Sequence, residues 1–454
     1  IKLSTHQGQE MDIVIKGKMR VQIGSHIEEL GEGDSIYYNS GTPHGMIAVG
    51  GEECTLYAVV MRPQKEKKPE KDTFEALIKA KQDRADRETV ASPFVHTELD
   101  ENGILKSIDF MNEEKFNFAF DIVDKMAEKE PDKLAMLWVS KHHEEKRFTF
   151  KDMKRMSNKT ANYFKSLGIK RGDRVMLILK RHYQFWFAIL ALHKLGAVVI
   201  PATNLLMEHD LDYRFKAAGV RALVCTPDGQ VADEALRAAK NCGTVEFLMM
   251  ANGAREGWLD FDAEVEKQSD VFERTEDTAC GSDPMLMFFT SGTTGERRGV
   301  MLSQRNMMCI ATSEFIPLAG NVSISILPMS HAFESVCHVL VMLSTGGLLY
   351  LCPSLRLFPP MVATSGADSL YIVPALAEAL LTRFRPFLDK ARNLKRLICG
   401  GAPVPQALVD AYDKLGIQVM TGYGLSECAP LVSLNTRMKK DAVSYTHLRA
   451  HETD

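Results

Sequence analysis

The chain has 454 residues and a formal net charge of -4, with 45% hydrophobic and 25% charged residues. This composition excludes a disordered or fibrous chain and a strongly basic nucleic-acid-binding protein, and the length favours two or three domains. The nine cysteines contain no CxxC pair, which argues against a disulfide framework or a cysteine-based zinc site and favours a reduced, cytoplasmic compartment. Charged residues or glycines interrupt the apolar stretches 185–201 and 338–352, so no transmembrane segment is predicted.

The first 62 residues alternate between apolar and polar side chains in short runs separated by glycines. This pattern predicts strands over 11–15, 19–23 and 35–38, and hence a small all-β domain. A run rich in Lys, Glu and Pro follows, and residues 73–87 carry mixed charges. We therefore assign 63–113 to a charged linker and a short solvated helix.

From about residue 116 to 435, β-branched runs alternate with helix-like segments, which predicts an α/β domain with a largely parallel sheet. Crossover helices are predicted over 183–195 and 375–385. The predicted strands are 174–179, 197–200, 222–225, 245–249, 285–289, 323–327, 348–351, 370–373, 396–399 and 418–420.

One predicted strand runs into a segment of four hydroxyl residues and two glycines, which are Thr290, Ser291, Gly292, Thr293, Thr294 and Gly295. Glycines permit positive φ, and successive amides and hydroxyls can face one anion, so the composition favours a phosphate-binding loop. It is not a Walker A loop, because Arg297 and Arg298 stand where that pattern needs Gly and Lys. Taken alone, the hexapeptide is also compatible with a polar surface turn.

The longer stretch 288–303, FFTSGTTGERRGVMLS, resembles the phosphate-loop signature of adenylate-forming enzymes, the superfamily that includes acyl-CoA synthetases. Further similar motifs occur in the family's order, so the resemblance covers roughly 115–440. These motifs are FTF at 148–150, GDRV at 172–175, LGAVVIP at 195–201, LPMSH at 327–331, GGAP at 400–403 and GYGLSE at 422–427. The resemblance implies an α/β adenylate-forming large domain of layered sheets and helices over 114–442.

The resemblance also implies roles for individual residues. Thr290 to Gly295 would bind the β- and γ-phosphates of ATP, and Gly401, Ala402 and Pro403 would line the adenine pocket. Tyr423 would stack on the adenine, Ser426 would hold the α-phosphate, and Glu427 would bind Mg²⁺ through a hard carboxylate oxygen.

Two further catalytic residues follow from the resemblance. His331 would hydrogen-bond the acyl carboxylate or the α-phosphate, although a histidine beside a sheet can also be structural. Arg298 would keep the positive charge of the family's lysine, with a planar guanidinium in place of a compact ammonium. We expect weakened rather than abolished nucleotide binding from this departure.

The carboxyl-terminal part departs further from the family pattern. Nothing after Asn435 is similar to the family's later aspartate motif, hinge or small lysine-bearing domain, so we expect that domain to be missing and this chain alone to be nearly inactive. Residues 443–454 have no amphipathic period and are interpreted as a non-native tail. Because 115–290 resemble acetate-type and medium-chain synthetases and 300–435 resemble long-chain ones, a chimaeric junction near the phosphate loop is an open alternative.

The spacing of His6, Glu10 and Gly17, followed by Gly41 and His44, resembles a cupin barrel that is truncated at its amino end. The resemblance implies a divalent metal bound by His6, Glu10 and His44, but Ser4 stands where a further histidine is expected. A weak metal site, a metal-free ligand pocket and polar residues at the barrel rim all remain open. Cupins of helix-turn-helix regulators permit a DNA-binding domain before Ile1, whereas no nucleic-acid contact is predicted within 1–454.

These motifs predict ATP-dependent activation of a carboxylic (fatty) acid to an acyl-adenylate and then to acyl-CoA, with ATP, Mg²⁺ and CoA as cofactors. One alternative is a non-catalytic regulator that senses acyl ligands or nucleotides through the cupin and adenylating domains. The other is transfer of the acyl group to a carrier protein.

Overall fold

The computed structural model describes residues 1–6, 9–32, 34–51, 53–61, 90–99, 105–291, 297–311 and 322–435. The chain divides into two compact units, Ile1–Lys79 and Ala80–Asp454.

The first unit is a pair of small antiparallel sheets, as the alternating pattern predicts. Its strands are β1 (Gln9–Lys16), β2 (Met19–Ile23), β3 (His26–Leu30), β4 (Ser35–Asn39), β5 (His44–Ala48) and β6 (Thr55–Met61). The strand orders are β4-β1-β6 and β3-β2-β5, and the side chains of Val14, Met19 and Val21 are buried between them. Gly17 turns the chain at φ +83°, where a Cβ atom would lie 2.7 Å from the Glu53 carbonyl oxygen, so only glycine fits.

The second unit begins with an antiparallel hairpin, β7 (Val95–Leu99) and β8 (Leu105–Phe110), inside the interval that the sequence assigns to a linker. The helix predicted over 73–87 lies outside the described residues. The hairpin was not predicted because it is short and its tip carries mixed polar residues.

The remaining strands belong to two larger sheets. In chain order they are β9 (Leu134–Val139), β10 (Glu145–Thr149), β11 (Arg174–Ile178), β12 (Val198–Pro201), β13 (Val220–Cys225), β14 (Phe247–Met250), β15 (Leu259–Asp260), β16 (Pro284–Ser291), β17 (Arg297–Ser303), β18 (Val322–Ser325), β19 (Leu348–Leu351), β20 (Ser369–Ile372), β21 (Arg396–Cys399), β22 (Gln418–Gly424) and β23 (Leu431–Asn435). Each of the ten predicted strands overlaps one of these.

The first of these sheets, called the large sheet, has eight strands in the order β10-β9-β19-β18-β20-β21-β22-β23. Its six central strands are parallel, and the antiparallel strands β10 and β23 form its edges. The second sheet has seven strands in the order β15-β14-β13-β11-β12-β16-β17 and is parallel except for β17. Together they confirm the predicted α/β class.

Helices cover the sheets. The α-helices are Lys125–Lys129, Phe150–Ser166, Gln184–Leu195, Glu208–Ala218, Val231–Cys242, Phe261–Glu266, Gln304–Ala311, Val341–Ser344, Phe358–Thr364, Pro374–Leu381, Arg385–Leu388 and Gln406–Asp413. Ala119–Asp124 and Phe333–Leu340 are π-helical, and Ser92–Phe94, Glu113–Lys115 and Ser426–Cys428 are 3₁₀ turns. The predicted helix 375–385 ends at Leu381, and Pro386 lies in the first turn of the next helix, where a proline is tolerated.

The helix Gln184–Leu195 lies between the two sheets and is buried from Gln184 to Lys194. Its side chains share one core with residues of both sheets, including Met136 of β9 and Val175 of β11. A helix that is apolar on all sides requires such an enclosed position. It ends at Gly196, whose φ of +73° closes the last turn.

One charged side chain of this helix is fully buried. The Lys194 ammonium donates to Asp124 Oδ1 at 2.8 Å, to Ser157 Oγ at 2.9 Å and to Asn158 Oδ1 at 2.6 Å. All three of its protons therefore have acceptors, and the ammonium joins the central helix to Phe150–Ser166 and Ala119–Asp124.

No helix among the residues that the structure describes is long and apolar enough to cross a bilayer.

Candidate active site

Three of the predicted motifs lie at or after the carboxyl ends of parallel strands of the large sheet. His331 comes after β18, Gly401 to Pro403 come after β21, and Tyr423 is the second-last residue of β22. The strand β20 lies between β18 and β21. The order of the strands reverses at β18, since β19 lies on one side and β20 on the other. Ligands of open α/β sheets bind at the carboxyl ends of strands beside such a reversal, so the topology brings these motifs to a suitable edge.

The predicted phosphate loop connects two antiparallel strands of the second sheet, β16 and β17. Thr290 lies opposite Arg298 and Ser291 lies opposite Arg297 in this pair, which we call the phosphate hairpin. The loop residues Gly292, Thr293, Thr294 and Gly295 lie outside the described residues, as does the side chain of Ser291. The turn Ser426–Cys428 lies beside β17, so a motif of the large sheet meets the hairpin of the second sheet.

The two arginines of the hairpin have different surroundings. Arg297 forms an ion pair with Asp210 at 3.1 Å, and its carbonyl accepts a 2.7 Å hydrogen bond from the Tyr213 hydroxyl. Arg298 is exposed and forms no ion pair with any described acidic residue. Because successive side chains of a strand point to opposite faces, Arg298 points away from the helix that holds Arg297. Of the two arginines of the hairpin, only Arg298 is therefore without an acidic partner among the described residues.

Glycines are required after β21 and at the end of β22. Gly401 has φ +78°, a backbone conformation that favours glycine. A Cβ atom on Gly424 would overlap the Pro430 carbonyl oxygen, so glycine is required where β22 ends. Gly401, Ala402 and Pro403 are exposed at the sheet edge, as a binding surface for a ligand requires.

The side chains of the GYGLSE motif differ in their exposure to solvent. Tyr423 and Ser426 are half-buried, and Glu427 is exposed in the 3₁₀ turn. No described basic residue forms an ion pair with Glu427, so its carboxylate oxygens are available to a cation. A hard oxygen ligand of this kind fits Mg²⁺.

His331 lies in a turn after β18, where its backbone amide donates to the Pro328 carbonyl at 3.1 Å. The Phe333 amide donates to His331 Nδ1 at 3.2 Å. In the neutral ring this leaves the proton on Nε2, which can then donate to an anionic oxygen. Desolvation by the surrounding protein lowers the pKa of the imidazole, and the Glu334 carboxylate partly offsets this effect. Neutral His331 is therefore favoured.

A buried polar network behind His331 was not predicted. The His338 ring bonds Glu334 Oε2 at 3.1 Å through Nδ1 and Ser323 Oγ at 2.7 Å through Nε2, and Glu334 also accepts from Ser325. The sequence favours only a packing role for His338, because the stretch 336–343 around it is otherwise apolar. The network fixes the helix that begins after His331.

In the first unit, the two histidines predicted as metal ligands lie together. Their ring centroids are 5.1 Å apart, and Tyr38 packs on His44 at 4.8 Å. His44 is 3% exposed, and its Nδ1 donates to the Thr42 carbonyl at 2.8 Å. The third predicted ligand, Glu10, lies in β1, but its side chain is outside the described part. Among the described side chains no group of three potential metal ligands occurs, while the Tyr38 hydroxyl donates to buried Asp12 at 2.9 Å.

Sequence comparison decides the family. The model of the AMP-binding enzyme family matches residues 123–448, which is well over half of the chain. The chain belongs to the AMP-binding enzyme family. A cupin domain model matches residues 1–60.

Curated relatives of this AMP-binding chain include two acyl-CoA-forming enzymes. The mitochondrial acyl-coenzyme A synthetase ACSM5 of Rattus norvegicus is 28% identical over 340 residues, covering 69% of this chain and 56% of that protein. A long-chain-fatty-acid–CoA ligase of Thermus thermophilus is 28% identical over 297 residues, covering 64% of this chain and 54% of the relative. The chain thus spans little more than half the length of these relatives.

Solved structures show the same fold. A long-chain-fatty-acid-CoA ligase of Archaeoglobus fulgidus superposes with a TM-score of 0.64 at 20% identity, covering 74% of this chain and 69% of that one. ATP-bound MatB of Rhodopseudomonas palustris gives a TM-score of 0.61 at 23% identity, covering 70% of this chain and 61% of that one. The α/β architecture of the AMP-binding chain is therefore that of this structural class.

Proposed function

We propose that the protein activates a carboxylic acid with ATP. The acid oxygen attacks the α-phosphorus, the bond to the β-phosphate oxygen breaks, and an acyl-adenylate and pyrophosphate form. Attack of CoA thiolate on the acyl carbonyl then releases AMP and gives acyl-CoA. The observation that supports the proposal is the meeting of the phosphate hairpin with the Ser426–Cys428 turn, beside the strand ends that carry His331 and Gly401 to Pro403.

In this proposal each part of the site positions charge rather than forming a covalent bond. The phosphate hairpin holds the terminal phosphates, with Arg298 as a cationic contact. Gly401 to Pro403 and Tyr423 bind the base, and Ser426 contacts the α-phosphate. Glu427 would hold Mg²⁺, which supplies neutralising charge as pyrophosphate leaves.

The matched relatives support CoA as the acceptor, because both are CoA-dependent by name. We also propose that residues 1–62 form a cupin-like ligand-binding domain and that 114–442 form the AMP-binding large domain. A divalent metal at His6, Glu10 and His44 and a cytoplasmic location complete the proposal.

The decisive experiment is carboxylate-dependent exchange of labelled pyrophosphate into ATP by the full-length protein, with acids from acetate to palmitate; residues 1–454 alone should be nearly inactive. Each exchange measurement proposed for a variant uses the full-length protein. Exchange that requires both Mg²⁺ and an acid is expected. Transfer to CoA or to a carrier protein is then distinguished by the acyl product. Binding of acyl ligands or ATP without any exchange would instead support the non-catalytic regulator.

Protonation of His331 should lower the rate of pyrophosphate exchange at low pH, which gives the pH profile an acid limb. Because the folded protein lowers the imidazole pKa below its ordinary 6.5, the ring stays neutral at pH 7, and exchange should fall only below pH 6.5. Protonation would place a hydrogen on Nδ1 and oppose the Phe333 amide that donates to it. The measurement is the pH profile of exchange for the wild-type protein and His331→Ala, which should be slower and lack the limb.

His142, which is exposed between β9 and β10, offers a matched control. His142→Gln should keep both the rate and the acid limb. An acid limb that survives unchanged in His331→Ala would show that another group produces it.

A further inference from the structure

A buried arginine beside the phosphate hairpin has no assigned task in the proposed mechanism. Arg214 lies on the helix Glu208–Ala218 and is only 5% exposed. Its Nε and Nη1 atoms are buried and have no hydrogen-bond partner within the described part of the chain. Buried guanidinium groups without partners are costly, so such a side chain is expected to serve a ligand or to be replaced.

The position of Arg214 connects it to the hairpin. Its guanidinium carbon lies 5.4 Å from the centroid of the Phe289 ring, the residue directly before Thr290. The Tyr213 ring also contacts Phe289, at 6.4 Å between centroids. The helix therefore packs through Tyr213 and Arg214 against the end of β16, directly before the predicted phosphate loop.

The charges around Arg214 do not neutralise it. Asp210, one turn earlier on the same helix face, is committed to the ion pair with Arg297 at 3.1 Å. Burial and, to a smaller extent, the Arg297 charge lower the pKa of Arg214 to about 10 against the opposing effect of Asp210, so the guanidinium is still charged at pH 7. The cluster formed by Asp210, Arg214 and Arg297 thus contains two guanidinium groups and one carboxylate, so it carries an excess positive charge.

We infer that Arg214 binds the terminal phosphates of ATP from the helix side of the hairpin and makes the site selective for the triphosphate over AMP. The inference rests on the proposed function. It assigns the two arginines of the cluster different tasks: Arg297 neutralises Asp210 and fixes β17, which leaves Arg214 free for the anion. A planar guanidinium, with its several donors, suits phosphate oxygens.

The test measures the affinity of MgATP and of AMP for the wild-type protein and Arg214→Met by calorimetry. Loss of a charged hydrogen bond should weaken MgATP binding by roughly tenfold or more, with AMP binding changed less than about twofold. Arg214→Lys should recover part of the lost affinity. Lys216→Met, which removes an exposed lysine that pairs with Asp212 on the same helix, should change neither.

The thermal midpoint gives a readout that does not depend on nucleotide. Because Arg214→Met removes an unpaired buried charge, the free protein should be at least as stable as wild type. Equal MgATP affinity in wild type and Arg214→Met, or equal weakening of MgATP and AMP, would overturn the inference while leaving the proposed function intact. Wild-type protein that binds neither nucleotide would overturn both.

Discussion

Replacing Glu427 by Gln should lower pyrophosphate exchange by about 100-fold, because the amide keeps the shape of the side chain and loses the charge that holds the cation. Glu427 is exposed in a 3₁₀ turn beside β17, so the substitution disturbs no buried contact. The diagnostic measurement is the Mg²⁺ dependence of exchange. The variant should need more Mg²⁺ for half-maximal rate, and saturating Mg²⁺ should restore part of the activity.

The matched control is Glu256→Gln, at an exposed loop position before β15. It should leave both the rate and the Mg²⁺ requirement unchanged. If Glu427→Gln retains the wild-type rate at every Mg²⁺ concentration, the metal is bound elsewhere and the assigned role of Glu427 is wrong.

Replacing Lys194 by Met should destabilise the second unit by about 3–5 kcal/mol, since it leaves the buried Asp124 carboxylate without its counter-ion. Ser157 and Asn158 would lose the same donor. The expected fall in the thermal midpoint is roughly 4–6 °C. Differential scanning calorimetry of the purified variant provides the measurement.

The double variant Lys194→Met with Asp124→Asn separates charge from packing, because the neutral amide no longer needs the ammonium. It should unfold at a higher temperature than Lys194→Met alone. Lys125→Met removes an exposed ion pair with Glu128 and should cost about 1 kcal/mol or less. Similar midpoints for all three variants would refute the account of the buried pair.

The buried parallel strands could be predicted because their pattern is local. Segments such as 348–351 and 396–399 coincide with β19 and β21, since strands covered on both faces are continuous apolar runs. The edge strands were missed. In β10 and β17, charged and polar side chains face solvent, so neither strand is a continuous apolar run that can be recognised in the sequence.

The site could be predicted only in part, for the same physical reason. The resemblance named His331, Glu427 and the adenine motif, because these residues lie in motifs that can be read along the chain. It could not name Arg214, whose relation to Phe289 joins a helix and a strand 75 residues apart. Only the spacing of Asp210 and Arg214 on one helix face was visible in the sequence, and many surface ion pairs have the same spacing.

In the proposed complex, ATP would be held by two sheets at once, with its phosphates on the hairpin of one and its base at the strand ends of the other. The affinity of the protein for ATP would then depend on the distance between the sheets as well as on the contacts with the ligand. A change in the volume of the layer that separates them, for example at the buried side chains of Gln184–Leu195, could alter ATP binding without touching a single ligand-contacting residue. Bound nucleotide should in turn stabilise both sheets, so that they unfold together in one cooperative transition at a higher temperature.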